Sequence, residues 1–231
     1  TLQQQLKLAG DAETYRNFFW FQGYFVMAIL ALAGSTLVGD DYQHGSLPFY
    51  LSKPIHRWHY VLGKMVAVAV FIDMLTTLPG LVLFIEGMLL SDDVTKAPWH
   101  LLWGVLGYGM VLTVVLSPLV VALASWLRRR VPLVMVWTGL LFFCRIMGDF
   151  LVDVLRYPPQ WRLIDLWNLM YVVGSWCLQT SADLGGGERV RQLSQMTRQP
   201  PVEQAALVLG LIVVAAAVYL HTRIRAVEVV A

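Results

Sequence analysis

The chain alternates between long apolar runs and shorter polar connections. Five runs are long enough to cross a hydrocarbon core about 30 Å thick, which takes roughly 20 residues of helix. The first extends from Phe18 to Val38 and the third from Trp99 to Leu127, both without a charge. The second, Met65 to Leu90, carries Asp73 and Glu86. The fourth, Val131 to Leu155, carries Arg145, Asp149 and Asp153, and the fifth, Gln204 to Leu220, is small and aliphatic. Helix is the form these runs predict, because isolated strands leave backbone groups unpaired in lipid and barrel strands are much shorter. Pro79 and Pro118 lie inside the second and third runs, where each removes a backbone donor and predicts a kink. Trp20, Trp58, Trp99, Trp103 and Trp126 fall near predicted span ends, as in an aromatic belt.

A weaker apolar stretch, Asp165 to Ser181, has Gly174 at its middle. It is too short to span and reads as an interfacial or re-entrant helix. The polar, glycine- and proline-punctuated stretch after it reads as an exposed loop. Residues 156–203 as a whole are the expected extracytoplasmic segment before the last span. The expected fold is all-α and polytopic, one transmembrane domain over residues 1–231.

Composition sharpens this picture. Apolar residues make up 58% of the chain and charged residues 14%. A soluble domain holds about 45–50% and about 25%, so lipid has to cover part of the apolar surface. The net charge is +2, and no basic run suggests nucleic acid. Arg128, Arg129 and Arg130 sit between two spans and read as a membrane anchor. Cys144 and Cys177 make neither a disulfide framework nor a metal spacing, and the histidines, with His56 and His59 three apart, make no metal site. The chain lacks the phosphate-cradling loop of an ATPase; Gly185, Gly186 and Gly187 are followed by Glu188. It also lacks G-x-S-x-G and H-E-x-x-H. No enzyme and no cofactor is expected in this chain.

The most informative segment joins the first two spans, GDDYQHGSLPFYLSKPIHRWHYVLGK, residues 39–64. It is too polar for lipid, yet Phe49, Tyr50, Leu51, Ile55, Trp58 and Tyr60 need a surface to pack on. A short amphipathic helix along the membrane face, docked on a partner, meets that need. The segment resembles the pattern of type-2 ABC exporter permeases. The matching positions are Asp40 or Asp41, then Gly45, Ser46, Leu47, Leu51, Ser52, Pro54, Ile55, Arg57, Gly63 and Lys64; Pro48 departs from the pattern. The resemblance implies that this loop couples the chain to a cytoplasmic ABC ATPase subunit, which holds the ATP and magnesium. It also implies a second permease copy or a homologue as partner, and a bacterial inner-membrane location. The family has six spans, so residues 1–17 are expected to be a loop after a span that precedes them.

Lysines and arginines number eight on each side of the expected topology. The tie is broken by density: Arg156, Arg162, Arg189, Arg191 and Arg198 on one side all sit in one long loop, and long loops weigh less. That places residues 39–64 in the cytoplasm.

Within the spans, Arg145, Asp149 and Asp153 recur every four residues and share one face. Arg145 is expected to pair with Asp149. That face lines either a translocation path or permease seam, or holds helices together as a structural ion pair. Asp73 is expected to bond a neighbouring helix or to sense substrate, and Glu86 lies near the outer end. Three readings follow. One is a transporter permease. The second is a non-transporting anchor or mechanotransmission subunit with an extracytoplasmic partner. The third is an intramembrane enzyme using Asp149, Asp153 and Arg145.

Overall fold

A computed structural model describes residues 12–34, 57–89, 99–127, 130–179 and 199–226. They form a helical bundle, and the described residues contain no strand. The helices are α1 (Ala12–Gly34), α2 (Arg57–Leu75), α3 (Thr77–Leu89) and α4 (Trp99–Trp126), followed by α5 (Arg130–Thr138), α6 (Cys144–Asp149), α7 (Leu166–Cys177) and α8 (Val202–Ala226). Stretches Val61–Leu89, Trp99–Trp126, Val131–Val154 and Val202–Thr222 are each long and apolar enough to cross a membrane. Helix α1 is a fifth long helix of the bundle, although its first turns carry Glu13, Arg16, Asn17 and Gln22.

Helix α4 is the core of the bundle. Some 61% of its apolar stretch is buried, against 28% for Val61–Leu89 and 22% for the other two spans, so α4 is enclosed by its neighbours where they are open on one side. It runs antiparallel to α2–α3 in continuous register. Ser117 Oγ donates to the Met65 carbonyl at 2.7 Å, Thr113 Oγ1 to Asp73 at 2.9 Å, and Phe84 meets Trp99 at the far end. Helix α4 continues through Pro118 as one element.

The second span breaks at Thr76. Pro79 has no N–H to return to the Leu75 carbonyl, and Gln22 Nε2 from α1 donates to that carbonyl instead. Thr76 Oγ1 also bonds back to the Ile72 carbonyl at 2.8 Å, a local contact that bends helices.

The fourth span contains two π-helical turns, Gly139–Phe143 and Phe150–Val154, on either side of α6. It ends where Arg156 takes a left-handed backbone (φ 58°) and the Tyr157 N–H closes onto the Leu151 carbonyl at 3.1 Å. Pro158 and Pro159 then lead into a 3-10 turn, Pro159–Ile164, their fixed φ angles suiting an extended step and a helix start.

From there the chain dips back into the bundle. Asp165 lies against Gly148, well inside the fourth span. Trp167 lies on Gly23, at the middle of α1. Helix α7 then climbs until Cys177 and Leu178 reach Gly104 and Gly107 near the start of α4. Twelve residues cover about 18 Å, well short of a bilayer core. The segment turns back within the bundle instead of crossing it.

Three expectations need correction. The first helix begins at Ala12, not Phe18, so part of the expected 1–17 loop is helical and Arg16 is a buried helical residue (1% exposed); its charge hid the start. Trp20 is not a belt residue: it packs on Tyr171, with ring centroids 4.6 Å apart. Trp99, Trp103 and Trp126, by contrast, are exposed. The 39–64 connection is helical from Arg57 on, so Gly63 and Lys64 lie within α2 rather than opening it.

Small residues let these helices meet. A methyl group at Gly23 would overlap the Trp167 indole, and one at Gly174 would overlap the Tyr108 ring, whereas Gly210 faces open space. Gly23→Ala and Gly174→Ala are therefore expected to lower stability by about 1–3 kcal/mol through overpacking. Gly210→Ala should be neutral, or stabilising by up to about 1 kcal/mol from helix propensity. Thermal unfolding in detergent, followed by tryptophan fluorescence, checks the ordering.

Candidate functional site

Two sites were expected, a coupling loop at one end of the bundle and charges inside the spans. Of the coupling residues, Asp40, Asp41, Gly45, Ser46, Leu47, Leu51, Ser52, Pro54 and Ile55 lie outside the described residues. Their flanks are described. Helix α1 runs from its Trp167 contact to Gly34, which lies against Val120 in the last turns of α4. Helix α2 starts at Arg57 and reaches the same part of α4 at Ser117. Both flanks thus open at the end of the bundle where α4 stops at Trp126 and α5 starts at Arg130. Gly63 is exposed, with nothing near its Cα that a side chain would strike.

The intramembrane charges sit toward the opposite end and converge on a residue that the sequence reading left in a loop. Arg162, at the 3-10 turn, is almost fully buried. Its Nη2 lies 3.2 Å from Asp149 Oδ1 and 2.5 Å from Asp153 Oδ2. Arg145 Nε is 4.0 Å from Asp149 Oδ2. The Arg145 guanidinium also stacks over Trp20, 4.4 Å from the ring centroid, and faces Tyr24 at 5.2 Å. Arg145, Asp149 and Asp153 therefore share a face and direct it at the re-entrant segment. Two arginines meet three carboxylates once Asp165 is included. A charge removed from water is tolerable only when paired in this way.

Asp165 holds the turn from the other side. Its Oδ1 accepts the Asn168 N–H at 3.1 Å and so caps α7. Asn168 Nδ2 in turn donates to Gln199 Oε1 at 2.9 Å, tying α7 to the residues before α8.

Asp73 stands apart, in the second span. Its Oδ1 accepts Thr77 Oγ1 at 2.8 Å and Thr113 Oγ1 of α4 at 2.9 Å, so it bonds the neighbouring helix. Thr77 approaches this closely because α4 carries Gly109 there, where a side chain would overlap the Thr77 hydroxyl. Glu86 is exposed near the end of α3.

This architecture agrees with a sequence comparison. The chain matches the family described as ABC-2 family transporter protein over residues 3–221. It belongs to the ABC-2 transporter family. No curated protein and no solved structure matches it. The chain is thus the permease subunit of an ABC transporter and an integral, multi-pass membrane protein.

Within this permease the sequence pattern pointed to Arg145, Asp149 and Asp153 but not to Arg162, Trp167 or Thr113. Only the run of two prolines before an arginine and an aspartate, in an otherwise apolar stretch, hinted at a turn needing internal partners.

Proposed function

We propose that this permease is the membrane half of an ATP-driven exporter in a bacterial inner membrane. A separate cytoplasmic ATPase docks on residues 39–64 and supplies ATP and magnesium. Two permease copies, or one copy and a homologue, pair above it. Closure of the ATPases pushes on the start of α2 and the end of α1, tilts the spans and exposes the substrate path to the other side. The permease itself carries out no chemistry.

The observation that carries this reading is the family match over nearly the whole chain, joined to the Asp40–Lys64 pattern. Geometry supports it in one respect: both flanks of the loop open at the same end of the bundle, so a push on the loop reaches two helices at once. The antiparallel register of α2–α3 on α4 gives that push a continuous lever, from Met65–Ser117 to Phe84–Trp99.

Copurification in mild detergent is expected to bring a nucleotide-binding subunit with the permease. Pro54→Gly and Arg57→Glu should leave the unfolding transition in place while lowering substrate-stimulated ATP hydrolysis several-fold. A permease that copurifies with no nucleotide-binding subunit overturns the proposal. An ATPase that copurifies but hydrolyses ATP independently of any substrate supports the alternative, a subunit that passes motion to a partner on the 156–203 side.

A further inference from the structure

Between α2–α3 and α4 lies a groove of about 530 Å³, within the range of about 300–1,000 Å³ that small-molecule sites occupy. Its walls are apolar, with Val70, Met74, Leu78 and Met110 prominent, and no basic residue lines it. These four side chains are exposed on the outside of the bundle. At its floor are Asp73, Thr77 and Thr113.

The floor is built to hold one carboxylate oxygen and leave the other. Both threonine hydroxyls donate to Oδ1, and Oδ2 accepts from no group among the described residues. The break at Thr76 and the notch at Gly109 bring Thr77 into place. A polar group placed in a span without its full set of partners is costly and marks a functional position.

Depth narrows the occupant. Asp73 lies 12 residues after Val61, or about 18 Å along a 29-residue stretch, near mid-bilayer. Lipid tails would cover the apolar walls but would leave Oδ2 without a partner. Lipid ammonium headgroups reside at the interface, far from this depth. What meets both the walls and the floor is a cation carried on an apolar body. Met74 and Met110 at the groove have flexible, polarizable side chains that adapt to varied shapes.

We propose that this groove binds a lipophilic organic cation, with Asp73 Oδ2 as its counter-charge. The proposal rests on the transport reading and names a substrate class for it.

The test uses the full chain in detergent and equilibrium dialysis with tetraphenylphosphonium. Wild type is expected to bind it, and Asp73→Asn to weaken binding about ten-fold or more. Asp73→Glu should restore most of the affinity, and the neutral analogue triphenylphosphine oxide should show no such dependence. Met110→Trp, at a position 66% exposed, fills the groove without disturbing the fold and should also abolish binding. This keeps the test sharp if Asp73→Asn fails to fold. Equal binding by wild type, Asp73→Asn and Met110→Trp overturns the site, and so does a wild type that binds the cation no better than the neutral analogue. Asp73→Asn that changes self-association but not cation binding assigns the groove to a second copy and likewise overturns the site. If the ATPase still copurifies, such results sink only the site; if it does not, the transport reading has failed independently.

Discussion

A chain that turns back inside a bilayer presents backbone and side-chain polar groups where no water can take them, and the protein must supply every partner itself. This constraint shapes the re-entrant segment, on which much of the bundle rests. Arg162 is buried between Asp149 and Asp153, Asp165 caps α7 through the Asn168 N–H, and Asn168 reaches Gln199. Around these bonds the rest of the turn is apolar. Trp167 then fills the notch at Gly23, and Trp20 and Tyr171 close around it. Each aromatic contact of this kind adds about 0.5–1.5 kcal/mol beyond burial.

The same economy operates elsewhere. Lipid gives apolar helices little reason to associate, so close packing and interhelical hydrogen bonds must hold them together. Gln22 donates to the Leu75 carbonyl freed by Pro79, Ser117 to the Met65 carbonyl, and Trp137 Nε1 to the Met27 carbonyl at 3.0 Å. These bonds tie α1, α2, α4 and α5 into one unit. The helices that flank residues 39–64 are therefore tied to others within the bundle, and a push delivered there has rigid elements to act on.

The long spans were legible because apolar run length alone identifies them, and α4, α5–α6 and α8 begin within about two residues of the expected positions. The short helix before the last span was legible from its length, which is too short to span. Where reading failed, a charge or a distant partner was the reason. Arg16 ended the apolar run that would have placed the start of α1 at Ala12, and only tertiary burial accounts for its inclusion. Arg162 lies 13 and 9 residues from its carboxylates, beyond any helical period, so no spacing rule connects them. Thr113 is 40 residues from Asp73 and becomes its partner only through the antiparallel register of α2–α3 on α4. The candidate coupling residues are the reverse case: a pattern clear in the sequence, most of whose members lie outside the described residues.

The account stands or falls on the dip of residues 159–177 into the bundle and its return to the same face. Its most direct measurement is cysteine labelling from each face of sealed, uniformly oriented vesicles, in a background carrying Cys144→Ser and Cys177→Ser. Trp161→Cys and Gln179→Cys, at exposed positions on either side of α7, should both react with a membrane-impermeant maleimide from one face. Ser46→Cys should react only from the other. Labelling of Trp161→Cys and Gln179→Cys from opposite faces would mean that the segment crosses the bilayer, and would contradict the account.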